Sequence, residues 1–275
     1  MTQSQQRHHL DGRSGTVYTD THCHLEMLEG ELPHAIVKRA NDAAVDTLLT
    51  VGVDLASSAE CVHTAGAIPG VWAVVGIHPH NAIEATTGVL ERLGQLARHP
   101  RVVGIGETGL DYYRDHSPRD LQASSFRAHI DMAKEVGKTL VIHCRDAHDD
   151  LVAVLEEEGA PDDVVFHCFS GDIDLVDRCS ANGWFMSFAG TVTFTNAPEL
   201  REAAAHAPVE LLLTETDSPY LSPHPHRGET NEPARVIYVT ATLAELHGMS
   251  EAQMAQLTST NARRAFALPA VKGSS

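Results

Sequence analysis

Long apolar runs are missing from this 275-residue chain: no stretch approaches the roughly 20 apolar residues of a membrane span. The opening MTQSQQRHHLDGRSG also has no apolar segment of the kind a secretory leader carries. Paired cysteines are missing as well. The five present, Cys23, Cys61, Cys144, Cys168 and Cys179, form no C-x-x-C and are odd in number, which argues against a disulfide framework and leaves a reducing cytoplasm as the expected location. Positive charge is scarce: 20 Lys and Arg against 37 Asp and Glu give a net charge of −17, which repels polyanions at long range. A nucleic-acid substrate would therefore need a local positive site, and bound divalent cations can supply one. The basic residues are scattered, and Trp72 and Trp184 are the two indoles, so no aromatic and basic platform for nucleic acid is visible in the sequence.

What the chain does have is 43% hydrophobic residues, enough to bury one large core. Val, Ile, Leu and Thr concentrate in eight short runs: VYTDTHCHL (17–25), TLLTVGV (47–53), VWAVVGIHP (71–79), VVGIGETGL (102–110), TLVIHCRD (139–146), VVFHCFSG (164–171), WFMSFAG (184–190) and LLLTETDSP (211–219). Each gap has room for a helix. Over Arg119 to Val136, Leu121, Phe126, Ile130 and Ala133 fall near one helical face, and Gly137 follows as a C-cap. This alternation predicts an α/β fold, a single-domain (β/α)8 TIM barrel. An open doubly wound sheet would use similar elements, but polar residues close nearly all of the runs at their C-terminal ends, the active-site face of a barrel. The expected organisation is an N-terminal extension over 1–16, in which His8 and His9 are solvated, a barrel over 17–268 and a flexible tail over 269–275. SPYLSPHPHRGETNEP (218–233) reads as a long functional loop.

The chemistry sits at the run ends. Asp20, His22 and His24 are spaced i, i+2, i+4, so in a strand all three face one way and Cys23 the other. Two such histidines can reach one cation while the third residue orients them, although H-x-H also occurs where histidines merely pack. Glu107, His143, His167 and Asp217 add matching groups at four more run ends, whereas Cys144 and Cys168 are expected to face the core. Six nitrogen and carboxylate donors exceed one tetrahedral site and suit two divalent cations, Mg, Mn or Zn, with Glu107 as the bridge. Cations of this kind lower the pKa of water, and Asp217 is placed to accept its proton.

DTHCHLE, GIHPH, GETGLDYY, VIHCRDA, FHCFSG and ETDSPYL together resemble the TatD family of metal-dependent deoxyribonucleases, over residues 17 to about 268. The resemblance implies the barrel of the amidohydrolase superfamily and a binuclear site built by His22, His24, Glu107, His143, His167 and Asp217, with Asp217 also the general base. It implies 3′→5′ exonuclease action on single-stranded DNA or free 3′ ends. His78, His80, Tyr113, Arg145 and Asn231 are expected substrate contacts, His78 and His80 equally as packing groups and the others equally as surface or supporting residues. Two departures stand out: Glu26 replaces the usual Asp of the first motif, and Glu229 and Thr230 follow Arg227-Gly228 where many members carry a basic residue. The alternative on the same site is ester or amide hydrolysis, including deacylation of D-aminoacyl-tRNA. A binding module without activity fits less well, because every ligand position holds a competent donor. Neither a membrane nor an obligate protein partner is expected.

Overall fold

The computed structural model describes residues 15–28 and 30–269. The expected extension and tail therefore lie almost wholly outside the described residues. From there the chain runs β1 (Tyr18–Cys23), α1 (Pro33–Asp42), β2 (Val45–Val51), α2 (Leu55–Ala67), β3 (Val71–Val75), α3 (Thr87–Ala97), β4 (Val102–Asp111), α4 (Arg119–Val136), β5 (Thr139–Arg145), α5 (His148–Glu158), β6 (Val164–Phe166), α6 (Ile173–Asn182), β7 (Phe185–Phe188), α7 (Pro198–His206), β8 (Leu212–Thr214), α8 (Val236–Leu246) and α9 (Glu251–Ala265). The strands are parallel and lie side by side in sequence order, as a (β/α)8 barrel requires.

Local chemistry sets the element ends. Asp54 caps α2 by accepting the Ser57 N–H at 2.7 Å while the Ser57 hydroxyl accepts the Asp54 N–H at 3.1 Å, and Ser250 with Gln253 repeats the device on α9. Such caps contribute about 1 kcal/mol each. Gly137 ends α4 in the left-handed region at φ 63°, as its position predicts.

Leu121, expected on the buried face of α4, is instead 36% exposed, and Gln122 is fully buried. The reason is periodicity: four residues back from Phe126 is 122, not 121. Gln122 is a bracing residue whose Oε1 accepts the Asp111 N–H at 2.8 Å and whose amide donates to Ser117 O at 2.9 Å, fixing the end of β4.

Between β8 and β1 the described residues form no ladder, only a single parallel bridge, Cys23 with Ser218. Backbone groups beyond β8 complete the seam, Asp217 N–H to His22 O at 2.9 Å and His24 N–H to Ser218 O at 2.8 Å. Side chains do the rest. Asp20, wholly buried, accepts the Thr216 N–H at 2.9 Å and the Thr216 hydroxyl at 2.6 Å, and Thr21 donates to Thr214 O at 3.1 Å. Asp20 thus meets His22 through that residue's backbone N–H, at 3.2 Å, and fastens the barrel where a strand ladder is lacking.

Candidate metal centre

Strands β6 and β8 stop at Phe166 and Thr214, earlier than the apolar runs suggest, so His167 and Asp217 stand on the turns that follow. Asp217 has φ 54° and neighbouring Cys168 φ 42°, left-handed conformations that cost on the order of 1–3 kcal/mol and collect at functional sites. Glu107 lies within β4, between two glycines. A Cβ on Gly106 would come within 2.3 Å of Val141 O, and one on Gly109 within 2.1 Å of His143 O. Glycine at both positions lets β4 close on β5 and sets Glu107 beside His143.

The Glu107 carboxylate divides the site. Its Oε2 faces His22 Nε2 at 3.3 Å and His24 Nε2 at 3.8 Å, with Asp217 Oδ1 at 3.5 Å from His24 Nε2. Its Oε1 faces His143 Nδ1 and His167 Nε2, each at 2.8 Å, and His78 Nε2 at 3.3 Å. All six residues singled out as ligands in the sequence therefore converge, and His78, expected as a substrate contact, joins them. Two clusters, His22 with His24 and Asp217, and His78 with Glu107 and His143, keep their ligand atoms within 4.8 Å of one another, as does a third, His22 with His167 and Glu215.

These residues fit a divalent cation. Both ring nitrogens of His22 and Nε2 of His167 are buried without a hydrogen-bond partner, since the short His167 to Glu107 approach is not aligned for one. Leaving a buried donor or acceptor unpaired costs about 1–3 kcal/mol, which coordination removes. A donor set of imidazoles and carboxylates without thiolate suits Zn, Mn or Mg.

The electrostatics follow from packing. Burial alone would raise Glu107, but the His167 imidazole set against it and the hydrogen bond from His143 hold it well below the usual carboxylate range. Asp217 is also lowered, burial being outweighed by the hydrogen bond with His24. His24 and His143 move upward despite burial, because Asp217 stands against the first and Asp111 and Glu107 against the second. His78 is pushed down to about 4 by burial and stays a neutral lone-pair donor.

Two acidic residues at the site escaped the sequence reading. Asp111, the last residue of β4, takes His143 Nε2 at 3.1 Å and His80 Nε2 at 2.9 Å on one oxygen, and the N–H groups of Tyr113 and Arg114 on the other. Glu215 lies behind His167. Its only sequence signal is its place two residues before Asp217.

Of the remaining expected contacts, His80 lies beside His78 and stacks on His116 with ring centroids 4.6 Å apart. Tyr113 is 58% exposed, with the Arg145 guanidinium 3.9 Å over its ring. Asn231, expected to touch substrate, is instead fully buried, its amide donating to Thr216 O at 2.9 Å and Tyr220 O at 2.7 Å. It holds the loop after β8 in place. Cys144 packs against the core as expected, and Cys168 sits on the turn with its N–H on Glu215. Among the described residues no helix is long and apolar enough to cross a membrane.

Residues 19–267 match the family model for TatD-related DNases. The metal-dependent hydrolase TatD of Mycobacterium tuberculosis is 43% identical over 257 residues, covering 90% of this chain and 97% of its own. A 3′-5′ ssDNA/RNA exonuclease TatD of Erwinia billingiae is 37% identical, covering 86% and 93% of the two chains. Among solved structures, the TatD homologue YjjV of Escherichia coli K12 superposes with a TM-score of 0.87 at 28% identity, over 92% of this chain and 98% of that one. With this fold, this cluster of imidazoles and carboxylates and these relatives, the chain belongs to the TatD family and is a metal-dependent hydrolase.

Proposed function

We propose that this protein is a 3′→5′ exonuclease that trims DNA from free 3′ ends through two divalent cations, with residues 17–268 as the catalytic unit. The observation that carries the reading is the division of Glu107: each of its oxygens faces a separate set of imidazoles, the arrangement of a bridging carboxylate. His22, His24 and Asp217 would hold one cation and His143 and His167 the other. Bound there, the cations would supply Lewis acidity that lowers the pKa of water and neutralises phosphate charge.

The chain's own groups supply the remainder. Asp217 is the base: its side chain is 14% exposed against 4% for Glu107, so of the two it is the carboxylate that water from the mouth reaches. Held ionised by His24, it accepts the proton of the attacking water and returns one to the leaving oxygen. At the rim, Arg145 has no carboxylate partner among the described residues and lies on Tyr113, presenting a phosphate fork beside an exposed aromatic face. His80 lines the approach from β3. All five cysteines are free, in keeping with a cytoplasmic setting.

The test is cleavage of end-labelled single-stranded DNA by metal-free protein with Mg, Mn or Zn restored, beside Asp217→Asn. Stepwise release of mononucleotides that requires both metal and Asp217 is the expected result. Intact DNA with every metal overturns the nuclease reading, and release of amino acid from D-aminoacyl-tRNA would replace it with deacylation.

A further inference from the structure

The histidines of the metal centre differ in what stands behind them. His24 donates its Nδ1–H to the backbone carbonyl of Val51 at 2.8 Å, which leaves Nε2 free to face Glu107 and Asp217. His167 has no backbone carbonyl in that place. Behind it lies Glu215, a carboxylate with no accessible surface, whose Oε1 is 3.1 Å from His167 Nδ1 and accepts the Cys168 N–H at 2.7 Å. Because that oxygen is held as an acceptor by a backbone N–H, the imidazole nitrogen facing it must be the donor. The proton is thereby kept on Nδ1, which leaves Nε2, 2.8 Å from Glu107 Oε1, as the nitrogen available to a cation.

We infer that Glu215 is a positioning residue, which fixes the tautomer and the ring plane of His167 so that its Nε2 is presented to a divalent cation. The ring would otherwise be poorly held. It stacks on His22 at 3.8 Å between centroids, a contact that permits rotation in the plane, and its Nε2 makes no hydrogen bond. A carboxylate behind a metal-binding imidazole also makes the opposite nitrogen a better donor, and removing such a partner typically lowers metal affinity by ~10–100-fold. Oxygen Oε2 of Glu215 is buried without a partner, and Glu215 falls within one cluster with His22 and His167, so direct coordination by Glu215 is the competing arrangement.

The inference rests on the metal-centre reading and not on the nature of the substrate, so its test avoids nuclease activity. Zn or Mn alone is titrated calorimetrically into metal-free wild type, Glu215→Gln and Glu215→Leu, and the His167 ring is followed by nitrogen-edited NMR in the zinc-loaded proteins. Gln keeps an oxygen acceptor for Nδ1–H and for Cys168, whereas Leu removes it. The expected result is near wild-type affinity for Gln, a ~10–100-fold loss for Leu with unchanged stoichiometry, and a downfield, slowly exchanging His167 Nδ1–H in wild type and Gln that is lost in Leu. An equal loss in both variants, or one fewer cation bound by Gln, overturns it in favour of direct coordination. Wild-type affinity in Leu, or zinc on His167 Nδ1 in the wild-type protein, overturns it outright. If Leu fails to fold, the Gln titration and the wild-type ring assignment still decide.

Discussion

The two sides of Glu107 are built differently. On the β1 and β8 side, His24 is held by the backbone at Val51 O, the His22 ring has no hydrogen bond, and the strand itself is fastened by the Asp20 to Thr216 bonds of the seam. On the β4 to β6 side each principal histidine has a carboxylate behind it, Asp111 for His143 and Glu215 for His167. A backbone carbonyl orients an imidazole without changing its charge environment, whereas a carboxylate orients it and makes it more basic. If two cations bind as proposed, the β4 to β6 side would be the tighter of the two. On the proposed mechanism the β1 and β8 side, with Asp217 at the mouth, would be the one where water is activated.

The largest effect expected from this asymmetry comes from removing what both sides share. Glu107→Ala should lose bound metal on each side and lower turnover by about 10²-fold or more, with the barrel intact by circular dichroism. A variant that kept both cations would show that the two sides are independent and that Glu107 is no bridge. Next comes Asp217→Asn, expected to cut turnover ~10²–10⁴-fold while metal content stays near normal, because Asn still offers an oxygen but accepts no proton. Loss of metal alongside activity would move Asp217 from base to indispensable ligand.

A smaller effect distinguishes the sides directly. Asp111→Asn should weaken one cation by ~10-fold and leave the other unchanged, measured by calorimetry. The pH dependence has a definite sign. Since their carboxylate partners raise His143 and His24 above the ordinary histidine value, each keeps its proton to higher pH than a free imidazole, and a cation must displace it. Metal binding should thus release protons at neutral pH and strengthen as pH rises, and calorimetry in buffers of different ionisation enthalpy reads the number released. Binding without proton release would show that the histidines are already neutral.

Most of the fold and the convergence of the six candidate ligands were legible because strands alternate and barrel strands lead into their polar groups. Legibility failed where periodicity ended. Glu215 and Asp217 lie past β8, on a turn where alternation no longer says which way a side chain points, so Glu215 was indistinguishable from the chain's many other acids. Asp111 stood one residue beyond the expected end of its run, and the strand in fact includes it. Asn231 failed for a related reason: a long irregular loop gives a residue a neighbourhood but no direction, and its amide turned inward to brace the loop. Leu121 shows the opposite error, in which hydrophobic identity was followed although the helical period selected Gln122. His78, expected to close the third strand, lies three residues past the end of β3 at Val75, and whether it meets substrate or Glu107 depends on a distance that no spacing encodes.

The smallest expected effect concerns the rim, where the barrel brings the Arg145 guanidinium onto the Tyr113 ring. The β4 to β5 register pairs Asp111 with Arg145, and Asp111 fixes the start of the next turn by accepting the Tyr113 N–H at 3.0 Å, which brings the Tyr113 ring beneath the Arg145 guanidinium. The residue that backs His143 therefore also sets the rim. Arg145→Ala should raise KM for single-stranded DNA several-fold and flatten its dependence on salt, with kcat and metal affinity nearly unchanged, because an exposed guanidinium contributes to phosphate attraction and not to water activation. Steady-state kinetics at several salt concentrations check this. If kcat falls instead while KM holds, Arg145 acts on the transferring phosphate itself, and the boundary between rim and metal centre has to be drawn inside Arg145 rather than at Asp111.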